Sequence, residues 1–372
     1  MPSLTAVIPA TKDPPTLERC LLAIEAAAEA PEEVLVVDRC AQRGPAGARN
    51  EGARRATGDV LVFIDADVAI HPDAFTRVRA AFGGEPELAG LFGSYDDAPP
   101  APGLVSQFRN LLHHHVHQSS PGRATTFWAG VGAMRRDVFL NSGGFDEVRY
   151  TAPFVEDIEL GMRIVDEGER VRLDPGLFGT HLKRWTLRGM VWTDLTRRGA
   201  PWVAMLLRRG SSSSALNLSL RHRLSAAAWL STLGGLAIRR LHPALAAFAA
   251  VLLLNRSFYA LLLRRLGLAR CGVGVALHGL HQLTAVASVP LGAAGYALER
   301  RGDRRLAAAS AGGSPSEVGV LSLENEPGLV DAVDLPVGQR RRPEIAVVNG
   351  GAAALPREAQ RSSGSSSFQL RS

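Results

Sequence analysis

Lysine is almost absent from this 372-residue chain: Lys12 and Lys183 are its only two, so arginine carries the formal charge of +6. A basic chain can seek nucleic acid, an anionic membrane surface or a phosphate-bearing substrate. Here the arginines are scattered and lack the interleaved aromatic residues on which bases stack, which argues against nucleic acid as a partner. Cysteine is equally scarce. Cys20, Cys40 and Cys271 lie too far apart for a disulfide framework or a zinc cluster, which leaves cytosolic exposure for the soluble part. Met1-Pro2-Ser3-Leu4 enters an apolar run directly, without the basic and apolar segments of a signal peptide. Glycine is missing from Pro9-Ala10-Thr11-Lys12-Asp13-Pro14-Pro15. That excludes a Gly-x-Gly-x-x-Gly dinucleotide loop and the glycine-rich loop of a nucleotidyltransferase.

What is present begins with Val60 to Ile64, an apolar run of strand length followed by Asp65-Ala66-Asp67. Such a run suits a strand covered on both faces. Ligands of open α/β sheets bind beyond the carboxyl ends of the strands, where Asp65 and Asp67 fall. Two carboxylates at this spacing can reach a hard divalent cation shared with a substrate phosphate, although a solvated strand end looks the same. Leu4 to Ile8 and Val34 to Val37 read as two further strands. Helices are expected over 16–30, 47–56 and 72–82, bounded by prolines and glycines. The alternation predicts βαβ units and a parallel sheet, with Asp38 and the Asp65/Asp67 pair on one rim.

Leu104 to Gln118 reads as a helix carrying His113, His114, His115 and His117. Successive histidines fan around a helix and cannot converge on one ion, so a polar or membrane-facing surface is expected. Thr125 to Met134 has strand character broken by Gly130 and Gly132, where a ligand or another backbone would approach closely. The segment 154–164 is an amphipathic helix with Glu156, Asp157 and Glu159 in its first turn, where acids also complement the helix dipole. Short strands follow at 171–173 and 177–181.

From about Leu216 the composition turns apolar. The stretches 224–238 and 241–254 are short for a bilayer crossing, whereas 271–298 carries no charged side chain and has the length to span. Arginines flank every gap, so the orientation is not set by positive charge. Two or three membrane segments are expected, the shortest lying in the interface, with a soluble helical domain as the alternative. Arg256 inside a bilayer would face the protein or snorkel. Beyond Arg301 the chain is rich in Gly, Ser, Ala, Pro and Arg and is expected to be mostly disordered.

Val7-Ile8-Pro9-Ala10, Glu33 to Asp38, Gly44 to Asn50, Asp65-Ala66-Asp67, Gly143-Gly144-Phe145-Asp146, Glu156-Asp157 and Arg184-Trp185, in that order, resemble the family 2 glycosyltransferases. The resemblance covers roughly residues 3–205. It implies an α/β domain of GT-A fold, with a Rossmann-like mixed sheet, over 1–205. Membrane-associated transmembrane or interfacial helices over 206–300 and a disordered tail over 301–372 complete the expected organisation. By the same resemblance, Pro9, Asp38, Arg49, Asn50, Asp65, Arg184 and Trp185 bind the nucleotide-diphosphate sugar. Asp67, Asp65 and His181 would hold Mg²⁺ or Mn²⁺, and Asp157 would be the general base, tuned by Glu156. The polymer-making members carry Gln-x-x-Arg-Trp where this chain has His181-Leu182-Lys183-Arg184-Trp185, which argues for transfer of a single sugar.

The implied activity is inverting transfer to a hydroxyl or phosphate of a lipid or lipid-linked acceptor. The implied location is the inner cell membrane, multi-pass, with the catalytic domain on the cytoplasmic face. A catalytically inactive membrane scaffold would tolerate decay of the acidic set, yet Asp38, Asp65, Asp67 and Asp157 are all present. A glycosidase would need two carboxylates flanking the sugar and no metal pair.

Overall fold

The computed structural model describes residues 1–11, 14–38, 43–210, 220–311 and 344–348. Strand β1 (Leu4–Pro9) is buried along its whole length and is sandwiched between two apolar layers. Leu4, Ala6 and Ile8 join one layer and Val7 the other. Strand β3 (Val60–Ile64) repeats the alternation, with Val60, Val62 and Ile64 on the first face and Leu61 and Phe63 on the second. A strand read as continuously apolar is thus one whose every side chain has a core to enter.

Helix α1 (Leu17–Glu25) covers the first face through Cys20 and Ile24. It stops at Glu25, short of the expected Ala30, in a segment of small residues before strand β2 (Glu33–Val37). Helix α2 (Gly44–Arg55), with a proline in its first turn, covers the second face through Ala46, Ala48 and Ala53. β2 and β3 pair parallel to either side of β1. Asp38 and Asp65 therefore share one rim but are not on adjacent strands, as two strand spacings, about 9.5 Å, separate their chains.

Next in sequence come β4 (Val68–Ile70), α3 (Ala74–Gly84), β5 (Leu88–Tyr95), α4 (Leu104–Gln118), β6 (Gly122–Ala124) and β7 (Val131–Arg135). They are followed by α5 (Arg136–Asn141), α6 (Glu156–Asp166) and β8 (Arg170–His181), the last a single strand where two short ones were expected. The sheet order is β4-β8-β5-β7-β3-β1-β2-β9, the last being Glu344–Val348, with β6 beside β8 and β7 antiparallel to both its neighbours. Gly132 of β7 sits opposite Phe63 and Phe92. The space a side chain would take there is filled by the Phe127 ring and the Trp128 carbonyl, so the close approach is by the chain itself rather than a ligand.

Past β8 run α7 (Leu187–Trp192), a π-helical turn (Thr193–Gly199) and α8 (Ala200–Arg209), which carries the chain through the expected boundary at 205 to a left-handed cap at Gly210. Helices α9 (Leu220–Ala237), α10 (Leu241–Leu254), α11 (Arg256–Leu266) and α12 (Leu268–Ala311) complete the helical part. They share an apolar core with α4 and α7 that includes Phe108, Leu111, Met190, Val251, Phe258 and Leu262.

Among the described residues no single helix is long and apolar enough to cross a membrane. The expected crossing over 271–298 lies in α12, where His278, Gln282, Thr284 and Ser288 are buried in the protein and lower the hydropathy. Among the described residues one pair, α10–α11, bent by 75°, passes that test together, as a broken span or re-entrant loop would. Arg256 is exposed at the start of α11.

The segment Glu344–Val348, within the tail expected to be disordered, forms β9, a parallel partner of β2 at the sheet edge. Its Glu-Ile-Ala-Val-Val sequence has the β-branched content of a strand. The expectation for 312–343 and 349–372 lies outside the described residues.

Candidate active site

Three segments far apart in sequence meet at one buried guanidinium. Arg49 of α2 contacts Asp65 Oδ1 at 2.6 Å and Glu156 Oε1 at 3.1 Å, and its guanidinium stands 5.4 Å from the centre of the Phe145 ring. Arg49 and Glu156 side chains are only 6% and 5% exposed, whereas Asp65 keeps 31%, so the pair is sealed on one side and open on the other. The planar fork of arginine is what allows two carboxylates to be bridged at once. Arg49 thus welds the end of β3 to the start of α6. Asn50, next to it, is spent on the chain: it donates to the Phe145 carbonyl at 2.8 Å and accepts from the Phe145 amide at 2.9 Å. This brackets the glycine turn at 143–144, where both glycines have positive φ.

Asp157 follows Glu156 in the first turn of α6. Its Oδ2 accepts from the Ala129 amide at 3.2 Å and its Oδ1 from the Ile158 amide at 2.8 Å. Gly161, one turn on, lies so close to the Thr126–Phe127 backbone that any side chain would collide. That contact seats α6 against the segment entering β7. Burial first, then the charge of Glu156, pushes the Asp157 carboxyl up to about 7, against the pull of Arg49 and the two backbone donors. A carboxyl so placed can take up a proton near neutral pH.

Asp67 lies two residues past Asp65, and its carbonyl accepts from the Leu182 amide at 2.8 Å. The antiparallel register sets Val68 opposite His181, which brings a residue from over a hundred positions away beside Asp67. His181 Nε2 is 3.8 Å from Asp67 Oδ2, and Lys183 Nζ is 3.9 Å from the same oxygen. The His181 ring stacks on Tyr95 with centroids 4.3 Å apart. Burial pushes its pKa down to about 3, so the imidazole is neutral and its nitrogen lone pair is available. Burial pushes the Asp67 carboxyl up, more than the nearby Lys183 holds it down. A neutral imidazole beside a buried carboxylate is a donor pair that fits a divalent cation. Among the described residues no three acidic, imidazole or thiol groups converge closely enough to chelate one alone. A substrate oxygen or water would complete the shell.

Pro9 ends β1 between Asp38 and Asp65, with the Ala10 amide donating to the Val37 carbonyl at 2.9 Å. Asp38 is half-buried on the same rim. Arg184 is exposed. Trp185 is held by its amide donating to Ser106 Oγ at 2.9 Å, with Arg109 and Lys183 against its ring at 5.4 and 4.7 Å.

The histidines of α4 are not a surface. His115 and His117 are buried, and His113 packs between Tyr95, His117 and Trp128 at 4.3, 4.0 and 4.5 Å. His117 Nδ1 donates to the Gly93 carbonyl at 2.8 Å and His114 Nδ1 to that of Tyr95 at 2.8 Å, so each ring has one nitrogen met by the backbone. Sequence reasoning also missed Arg109, Asp194 and His281. These come from three separate helical elements, and no local pattern pairs them.

Residues 25–142 match the model of glycosyl transferase family 2. The chain carries a family 2 glycosyltransferase domain, and its mixed α/β sheet is of the GT-A type. Asp38, Arg49, Asp65 and Asp67 fall inside the matched range, while Glu156, Asp157 and His181 lie beyond it. Among curated proteins, the pre-mycofactocin glycosyltransferase of Mycobacterium tuberculosis, from two strains, is 26% identical over 161 residues. That is 40% of this chain, and the match spans about a third (32%) of the relative's length. Among solved structures, a mannosyltransferase of Pyrobaculum calidifontis in complex with GDP-Man and Mn²⁺ is similar at TM-score 0.48 and 18% identity, covering 77% of this chain and 87% of that one. GalNAc-T7 with UDP, GalNAc and Mn²⁺ is similar at TM-score 0.43 and 16% identity, covering 56% and 48%.

Proposed function

We propose that this protein is an inverting, metal-dependent glycosyltransferase. It would move one sugar from a nucleotide-diphosphate sugar to a hydroxyl or phosphate of a lipid-linked acceptor at the cytoplasmic face of the inner membrane. The observation that carries the reading is the Arg49 bridge, which fixes Asp65 beside Glu156 and so sets Asp157 on the rim that also bears Asp38 and Asp67. Asp38 would take the nucleoside, with Pro9 and Asp65 beside it on the rim, and Arg184 and Trp185 would lie at the diphosphate end.

Asp67 and His181 would hold Mg²⁺ or Mn²⁺ together with oxygens of the substrate or water, while Asp65, expected to share the cation, is taken up by Arg49. The cation, when bound, would neutralise charge on the departing nucleoside diphosphate. Asp157 accepts the acceptor hydroxyl proton as the sugar carbon is attacked from the side opposite the diphosphate, which inverts the anomeric centre in one displacement. Glu156, buried and held by Arg49, keeps Asp157 basic enough for that task.

The membrane part of the reading is supported by apolar side chains left outside on the C-terminal helices, among them Leu230, Leu233, Leu236, Leu245 and Leu253 at 41–70% exposure. An exposed apolar surface of this extent marks a membrane or a partner. The test is a panel of labelled nucleotide sugars supplied with Mn²⁺ to membranes containing the protein. Label entering the organic-extractable lipid with one donor supports the whole reading. Label in a water-soluble product keeps the transferase and removes the lipid acceptor, and no turnover with any donor removes the transferase.

A further inference from the structure

Two residues past Trp185 the chain enters a helix that leaves large apolar side chains outside. Leu187 and Trp192 of α7 are 48% and 61% exposed. With Arg188, Val191, Leu195 of the π-helical turn and Leu280 of α12 they line a groove of about 350 Å³, whose walls are almost wholly hydrocarbon. Leu187, Val191 and Leu195 recur at every fourth residue, and Leu280 comes from the helix alongside. The volume falls in the range of small-ligand sites. The walls are pinned from behind. Asp194, on the same turn and 4% exposed, meets Arg109 Nη2 of α4 at 2.7 Å and accepts from His281 Nδ1 of α12 at 2.8 Å. His281 adjoins Leu280, so this buried carboxylate fixes the turn against the helix that supplies Leu280. Gly199, at the end of the turn, lies so close to Ser288 of α12 that a side chain would collide.

Charge and position say what such a groove takes. Residues 183–198 carry five cations, Lys183, Arg184, Arg188, Arg197 and Arg198, against one acid, Asp194. That acid is already paired. An apolar groove in so cationic a segment complements a molecule with a hydrocarbon tail and an anionic head, and Arg188 belongs to the groove lining itself. The segment also starts at the candidate site, since Lys183 Nζ is 3.9 Å from Asp67 Oδ2. Four residues lead from Lys183 to Leu187, a reach of at most about 14 Å. A long, thin chain bridges that distance. A water-soluble acceptor would leave the apolar walls unused.

We propose that the groove between α7, the π-helical turn and α12 holds the hydrocarbon chain of a lipid phosphate acceptor, with Leu187, Val191, Trp192 and Leu280 around the chain and Arg188 at its phosphate end. This inference rests on the reading of the protein as a transferase to a lipid-linked acceptor and gives that acceptor a place and a charge.

The test is binding of farnesyl phosphate to the full chain by calorimetry, with farnesol and inorganic phosphate as chain-only and head-only probes. UDP and GDP, each with Mn²⁺, are measured on the same samples. Wild type is expected to bind farnesyl phosphate roughly tenfold or more tightly than either part, because head and tail are held together. Leu187→Glu with Trp192→Ala, both at exposed positions, is expected to weaken farnesyl phosphate roughly tenfold and to leave nucleotide binding as in wild type. Arg188→Gln should weaken farnesyl phosphate severalfold and leave farnesol unchanged. Leu233→Glu with Leu236→Glu, on the exposed side of α9, should change neither. If the groove double variant does not fold, Trp192→Ala alone carries the comparison, with a severalfold loss expected. Wild-type affinity for farnesyl phosphate in a folded groove variant, or an equal loss in the α9 variant, overturns this inference and leaves the transferase reading standing. So does a wild type that binds nucleotide but not farnesyl phosphate. Binding of neither nucleotide nor farnesyl phosphate overturns that reading and this inference with it.

Discussion

At Arg49 the fold accepts the desolvation of a guanidinium and a glutamate in order to fix two carboxylates in one geometry. Lysine has the charge but not the fork, and could satisfy only one of them. Arg49→Lys should therefore leave Asp65 or Glu156 unpaired and cost about 3 kcal/mol, read as a lower denaturant midpoint at unchanged slope. Asp157 makes a prediction of the opposite kind. Its native pKa, pushed up to about 7, exceeds the usual carboxylate value, so between those limits the folded state binds the extra proton and this group's contribution to stability falls as pH rises. Asp157→Asn should accordingly unfold at a higher temperature than wild type at pH 8 while losing transfer. In wild type, kcat/KM should climb with pH and level off above about 7, because only the ionised carboxyl accepts a proton. A profile that falls through that range would remove Asp157 from the base's role.

At the scale of elements, β1, β2 and β3 were legible because each is an apolar run of strand length closed by a rim residue. What the sequence hid depends on register. His181 reaches Asp67 only because β4 pairs antiparallel with β8, and here the family resemblance, rather than the pattern, pointed to it. The histidines of α4 misled in the other direction. Polar side chains in a row suggest water, yet His113 and His117 sit between the helix and Tyr95, Trp128 and Phe92, with His117 Nδ1 met by the Gly93 carbonyl and His113 Nδ1 buried without a hydrogen-bond partner. Burial pushes His117 down to about 4 and His113 well below its usual value. Both must be protonated in the unfolded chain before the folded one, so their contribution is complete above about pH 6.5 and is lost as pH falls towards 4. Acid unfolding should set in within that window, and His117→Gln should reduce the steepness of stability against pH there. An unfolding midpoint flat between pH 7 and 4 would contradict the burial.

For the whole molecule, composition signalled the change of character after Leu216 but not how the later helices would be used. The helices pack back on α4 and α7, and within α12 His278 meets the Tyr259 hydroxyl of α11 while Ser288 lies against Gly199, so an uncharged stretch long enough to span is instead partly a protein-facing helix. β9 was invisible for a simpler reason: five strand-forming residues in a polar tail carry little signal until β2 offers an edge. The apolar side chains that remain outside make a further prediction. The purified chain should sediment with anionic vesicles, and Leu233→Glu with Leu236→Glu should reduce this severalfold without lowering the unfolding midpoint. Equal sedimentation of both would separate these helices from membrane binding.

Whether Asp157 and Asp67 divide base and cation duties at one site is read by measuring donor binding and sugar transfer together in Asp157→Asn and Asp67→Asn. Asp157→Asn should bind the nucleotide sugar with Mn²⁺ as wild type does but transfer it roughly a hundredfold or more slowly. Asp67→Asn should lose the metal-dependent part of binding itself. Transfer at the wild-type rate by Asp157→Asn, or unchanged metal-dependent binding by Asp67→Asn, would contradict that division.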